Sequence, residues 1–209
     1  MARRILLKEP RHFVQQAYEI PKPQANEVLV RVTHCGICGT DLHAYCGSHP
    51  SITTPIVLGH EFSGVVEVVG ANATGVREGA RVTANPITSC GSCRNCREGR
   101  TNACEAIRVI GCQLPGAHQS HLVIDETKVV ELPTAISQED GAVLEPVAVA
   151  CHALLTRRPI RHGEYVLVLG CGPIGAFCAQ VAHAGGAESV IGVDVDPFRL
   201  KIAASTGCD

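Results

Sequence analysis

Cys90, Cys93, Cys96 and Cys104 stand in Cys-x2-Cys-x2-Cys-x7-Cys spacing. That spacing lets one loop turn four thiolates inward around a tetrahedral Zn²⁺, leaving no position for water, so the site it predicts is structural. A bacterial-type iron–sulfur run would continue x3-Cys-Pro, whereas here the gap is seven and Glu105 follows. Free thiols do not cluster in a loop as polar as Gly91, Arg94, Asn95, Arg97, Glu98, Gly99 and Arg100. A second set is mixed: Cys38 in a Gly-x-Cys-Gly-Thr-Asp turn, and His60 and Glu61 after Gly59, leading into a strand. One thiolate, one imidazole and a carboxylate are what zinc uses when a position stays open for water or substrate, so this set is expected to do chemistry. Glu145, followed by Pro146 in an apolar stretch, reads as a buried carboxylate in need of a partner, for which a cation is well suited.

A third constellation is Gly170-Cys171-Gly172-Pro173-Ile174-Gly175, a Gly-x-Gly-x-x-Gly match. Its context gives it weight. It follows an apolar strand and opens a helix whose N-terminal amides can receive a pyrophosphate, and its third glycine permits close packing of helix on strand. Asp194 ends the next strand, where a carboxylate can bond both ribose hydroxyls of an adenosine and repel a 2′-phosphate; NAD is therefore expected over NADP.

The elements that must position these residues change character along the chain. Up to about residue 135, short β-type runs alternate with Gly, Pro and Asn: Ile5–Leu7, Val28–Thr33, Gly64–Val69, Arg81–Ala84, Ile107–Ile110, Leu122–Ile124 and Lys128–Glu131. They predict a mostly antiparallel β domain. Ser137 with Asp140 three positions later marks a helix start, and apolar spacing continues through Leu155, with Pro146 as a break or a second start. Strand Tyr165–Leu169, helix Pro173–Ala184, strand Ser189–Val193 and a helix from Pro197 then spell a βαβ unit. A doubly wound fold uses roughly six strands, and about two are legible before Asp209, so an incomplete dinucleotide domain is expected.

At 209 residues, 45% hydrophobic and 18% charged, the chain can bury a core. A net charge of −2 and scattered Lys and Arg disfavour nucleic acid and anionic membranes as partners. The longest apolar runs are broken by Glu145, Pro146, His152 or glycines, which argues against a membrane span. The Met-Ala-Arg-Arg start has no apolar signal core, so a cytoplasmic location is expected, and with it free or metal-bound rather than disulfide-paired cysteines.

Taken together, Cys38-Gly39-Thr40-Asp41-Leu42-His43, Gly59-His60-Glu61, the four-cysteine lobe, Glu145-Pro146 and the glycine fingerprint with Asp194 resemble the zinc-dependent medium-chain alcohol dehydrogenases, in their polyol, sugar and threonine dehydrogenase branch. The resemblance runs from Ile5 to Asp209. It implies a β-rich, GroES-like catalytic domain over 1–155 with its structural zinc lobe at 90–104, then a partial Rossmann domain over 156–209. It also implies a catalytic zinc on Cys38, His60 and Glu61, with Glu145 as a carboxylate near the metal. Thr40 and His43 would relay the proton by way of the cofactor ribose, and Arg199 would help hold the adenosine ribose. The implied reaction is oxidation of a secondary alcohol to a ketone by NAD, in a protein that is a homo-oligomer when full length. Members of the family continue well past Asp209, so the nicotinamide half of the cofactor site and the usual dimer edge would lie outside this chain.

The chain departs from the family at two places. Gly116-Ala117-His118-Gln119-Ser120-His121 replaces a glycine-rich turn with Phe, Glu and Tyr that borders the substrate pocket in relatives, which opens the way to a more polar substrate. Ala80 replaces the usual Asp before Arg81. The competing reading is a non-catalytic, zinc-stabilised binding fragment.

Overall fold

A computed structural model describes residues 1–209, which fall into two compact units, Met1–Val143 and Leu144–Asp209. The first contains β1 (Arg3–Glu9), β2 (His12–Ala17), β3 (Glu27–Cys35), α1 (Gly39–Tyr45), β4 (Ile56–Val57), β5 (Phe62–Val69), β6 (Arg81–Ala84), β7 (Ile87–Thr88), α2 (Arg94–Arg97), β8 (Arg108–Val109), β9 (His121–Asp125), β10 (Val129–Glu131) and α3 (Gln138–Ala142). Its main sheet runs β10-β6-β5-β3-β9, and every pairing in it is antiparallel. Val28, Val30, Phe62, Val66 and Val82 are all but fully buried and form one core with Ala80, Leu122 and Ile124. β-branched side chains suit such a pleated, packed surface.

A smaller sheet, β2-β1-β4, lies apart from the main one. Its Leu7 is fully buried and packs with Ala44 of α1 and with Leu58, just after β4. This satellite cluster seats α1 and the Gly59 turn against the same strand. The pair β7–β8, with Ile87 opposite Val109 and Thr88 opposite Arg108, closes the base of the loop that carries the four cysteines.

The second unit contains α4 (Leu144–Cys151), β11 (Tyr165–Leu169), α5 (Pro173–Ala184), β12 (Ser189–Val193) and α6 (Pro197–Thr206). β11 and β12 pair in parallel from Tyr165 opposite Ser189 to Leu169 opposite Val193. Val168, Ala179, Ala182 and Val190 form the core. The other face of the strand pair, with Tyr165, Leu167, Leu169, Ile191 and Val193, is exposed.

The division after Val143 precedes the boundary expected at residue 155, and packing explains the shift. The helical run from Leu144 packs with the second unit, as Leu154 joins the Val168 core and Leu155 lies beside Gly185 at the end of α5. That run is also not one helix. α3 ends at Ala142 with Val143 as its cap, α4 begins at Leu144, and residues His152–Arg157 adopt π-helical turns, with Arg158 N–H donating to the carbonyl of Ala153. No helix is long and apolar enough to cross a membrane.

Phe62 carries the heaviest packing burden near the site. Phe62→Ala is expected to destabilise the first unit by about 3–5 kcal/mol, while Val68→Ala, on the same strand but 40% exposed, should cost far less. Urea unfolding of both variants checks the contrast.

Candidate metal and cofactor sites

Antiparallel pairing brings the mixed donor set together. β3 ends at Cys35 and β5 begins at Phe62, and these two residues are register partners. The chain leaving β3 and the chain entering β5 are therefore neighbours, and one further rung, Gly36 N–H to the carbonyl of Glu61 at 2.6 Å, extends the pairing past the strand ends. Cys38 caps α1 two residues later. One thiol sulfur, one imidazole nitrogen and one carboxylate oxygen from Cys38, His60 and Glu61 lie within 4.8 Å of one another. His60 is buried, whereas Cys38 and Glu61 are half-buried. The Cys38 thiol is drawn below its ordinary pKa first by a hydrogen bond from His60, against opposing burial, with Thr40 contributing through its backbone and hydroxyl. A sulfur so favoured as an anion, beside an imidazole and a carboxylate, fits a divalent zinc.

Asp41, only 4% exposed, is the residue that ties the two turns. One carboxylate oxygen accepts from Cys38 N–H at 2.9 Å and the other from Gly59 N–H at 3.3 Å. The first bond is local, an acid at the third helical position reaching back to the cap; the second spans the fold. Thr40 is half-buried in the first turn of α1, and His43 is exposed one turn later, its Nδ1 3.3 Å from Ser48 Oγ.

The four-cysteine lobe is built by short local bonds. Cys90, Cys93, Cys96 and Cys104 present sulfurs within 4.8 Å of one another, with Cys90 and Cys96 at 4.0 Å. Ligand sulfurs at about 2.3 Å from a tetrahedral zinc sit about 3.8 Å apart, so little adjustment is needed. Backbone N–H groups point at the sulfurs: Cys90 N to Cys104 at 3.2 Å, Ala106 N to Cys104 at 3.3 Å, Cys93 N to Cys90 at 3.4 Å and Cys96 N to Cys93 at 3.5 Å. Bonds donated to sulfur favour the thiolate. Cys90 is drawn down to about 6 by the amides of Ser92 and Cys93, and Cys93 is lowered by those of Glu105 and Cys96, whereas Cys96 is pushed up to about 12, first by desolvation. Four crowded thiols cannot all ionise unaided; a cation at their centre removes the conflict. All twelve cysteines are free of disulfides.

In the second unit, Gly170 has φ +94°, and Gly175 in the first turn of α5 abuts the Gly170 carbonyl so closely that a Cβ there would collide with it. Gly172 caps α5, and Pro173 at the first helical position surrenders an N–H that the helix does not use; Ile174, on the same turn, is exposed. Asp194 braces this turn: one oxygen accepts from Cys171 N–H at 2.7 Å and the other from Asp196 N–H at 2.9 Å, and these bonds hold its pKa below the usual carboxylate range. Arg199 stands 3.9 Å from Asp194 and 3.7 Å from Asp196. Glu145 is half-buried in the first turn of α4.

The Asp41 bridge yields a direct check. In Asp41→Asn one oxygen is replaced by a donor, so at least one of the two amides at Cys38 and Gly59 is left without its acceptor. Hydrogen exchange of at least one of these two amides should accelerate while that of Val66 in the core stays slow. Unchanged protection at both amides would remove Asp41 from this role.

Residues 24–134 match the alcohol dehydrogenase GroES-like domain. The chain is 37% identical over 201 residues to L-galactonate-5-dehydrogenase of Escherichia coli K12, covering 96% of this chain and 58% of the relative. It is 39% identical over 193 residues to an L-threonine 3-dehydrogenase of Rhizobium johnstonii, covering 91% and 55%. A Sinorhizobium meliloti 1021 protein solved bound to NADP superposes with TM-score 0.93 at 34% identity, over 100% of this chain and 60% of that one. The 2R,3R-butanediol dehydrogenase of Bacillus subtilis gives TM-score 0.90 at 30% identity, over 100% and 62%. The chain thus spans less than two thirds of the proteins it matches. With the domain match extending over more than half of its residues, it belongs to the alcohol dehydrogenase family defined by the GroES-like domain.

Proposed function

We propose that the protein is a zinc-dependent oxidoreductase that transfers a hydride from a secondary alcohol to NAD, giving a ketone, with a polyol, sugar, sugar acid or threonine-like hydroxy-amino acid as substrate. The observation that carries this reading is the convergence of Cys38, His60 and Glu61 donor atoms within 4.8 Å, beside Thr40 and apart from a self-contained four-cysteine set. The substrate class follows the polyhydroxy acid and the hydroxy-amino acid named for its relatives. Zinc held by Cys38, His60 and Glu61 supplies Lewis acidity that lowers the pKa of the substrate hydroxyl.

The chain's own groups handle the proton. Thr40 Oγ1, hydrogen-bonded to the Cys38 sulfur, would take the proton while passing its own to the cofactor ribose, and the exposed imidazole of His43 would carry it from the ribose to solvent. Asp41 holds the two ligand-bearing turns at fixed separation. The four-cysteine lobe serves the fold. The turn from Gly170 to Gly175 receives the pyrophosphate at the α5 N-terminus, and Asp194, with lone pairs left beyond its two amide bonds, meets the ribose hydroxyls, with Arg199 alongside.

Metal analysis of the full-length protein is expected to give two zinc ions per chain. Cys93→Ser should lower the unfolding midpoint, and Cys38→Ser should abolish turnover while leaving the fold intact. A single zinc, or equal unfolding by the two variants, would overturn the division of roles.

Cofactor choice rests on Asp194. Its negative charge repels a 2′-phosphate, so the parent should prefer NAD, and Asp194→Ala should shift the NAD-to-NADP ratio of kcat/KM toward NADP by about tenfold or more, a change of about 1.4 kcal/mol in discrimination. Initial rates with both cofactors decide it, and a parent that already prefers NADP would refute the assignment.

A further inference from the structure

His118 lies in the segment where the chain departs from its family's usual turn, and the proposed reaction does not use it. Three contacts place it across both ligand-bearing turns. Its backbone N–H donates to the carbonyl of Leu58 at 2.9 Å, two residues before His60. Its ring lies against Gly59: a Cβ built there would meet ring atoms Cδ2 at 2.8 Å and Nε2 at 3.0 Å. Its Nε2 is 3.3 Å from the carbonyl oxygen of Gly36, two residues before Cys38. That oxygen can only accept, so the ring donates from Nε2.

Gly36 is where a small movement matters. Its N–H holds the Glu61 carbonyl at 2.6 Å, and the Glu61 side-chain oxygen lies so near that a Cβ on Gly36 would be 2.5 Å from it. The Gly36 peptide therefore abuts the carboxylate of one ligand and leads into the thiol of another. Asp41 ties Cys38 to Gly59 from one direction, and the His118 imidazole ties Gly36 to Gly59 from another.

From this geometry we propose that His118 is a positioning residue for the Cys38–His60–Glu61 metal site: its imidazole pins the Gly36 carbonyl against the Gly59 turn and fixes the spacing of the three donors. The inference rests on the zinc reading above. Groups that orient ligands without touching the metal are commonly worth about 10- to 100-fold in metal affinity. Glutamine should substitute for the imidazole, because its amide nitrogen is as many bonds from Cα as Nε2 is. Asparagine falls one bond short.

The test is a zinc titration of the full-length protein against a chromophoric chelator, with the four-cysteine site as internal reference. The parent should bind two ions. His118→Ala and His118→Asn should weaken the second-site affinity by about 10- to 100-fold with the four-cysteine affinity unchanged, and His118→Gln should return to within about threefold of the parent. Equal affinities across the series, or a glutamine variant as weak as the asparagine one, overturns the inference while leaving the zinc reading in place. A parent that binds only one ion overturns that reading and the inference with it. If the alanine variant does not fold, the glutamine–asparagine contrast still decides.

Discussion

The register of one strand pair governs the first unit. Because Cys35 faces Phe62 across β3 and β5, everything leaving β3 adjoins everything entering β5. Slipping β5 by one residue in that register would turn Phe62 and Val66 out of the core, a loss of several kcal/mol in burial, on the order of two buried apolar side chains. The buried face thus fixes the register, and the register delivers Cys38 to His60 and Glu61. Hydrophobic packing sets the position of polar chemistry here without any apolar residue taking part in it.

Packing alone leaves the turns free to drift by the fraction of an ångström that matters to a metal. The remaining freedom is removed by directional bonds of increasing range. Within α1, Asp41 reaches back three residues to Cys38 N–H; across the fold, its other oxygen takes Gly59 N–H. Being buried, the carboxylate has no water to compete for these amides, and hydrogen bonds to a charged group are worth about 1.5–3 kcal/mol. The second unit repeats the device with Asp194, which grips the amides of Cys171 and Asp196 and so holds the glycine turn to the end of β12. In both units a single carboxylate with two backbone N–H partners makes a rigid corner out of a loop.

How much of this was legible in the sequence depended on the range of the interaction. β6, β11, α5 and β12 match their expected bounds, since each has a clear periodicity and hard stops such as Gly170, Pro173 and Gly185. The four-cysteine lobe was legible because its ligands are close in sequence, so spacing alone encodes the geometry. β2 was not: its polar residues His12, Gln15 and Gln16 hide the alternation, and the strand exists through pairing with β1. Nor was α1, which looked like a turn because it buries only Asp41 and Ala44, one of them charged. Asp41 as a bridge was half legible, the cap spacing to Cys38 being local while its bond to Gly59 depends on the fold.

The two donor sets differ for the same reason. Four sulfurs that all lie between Cys90 and Cys104 need only the β7–β8 clasp and their own backbone amides, so the lobe assembles largely by itself. Cys38, His60 and Glu61 have no such independence: remove the β3–β5 pairing and nothing local restores their proximity. A site whose ligands are held by distant parts of the fold can be adjusted through those parts without changing a ligand, as the Gly36–Gly59–His118 contacts illustrate. On the proposed reading that separation assigns the closed set to stability and the dispersed set to chemistry, because three donors held by distant parts of the fold would leave a coordination position open where four clustered sulfurs would not.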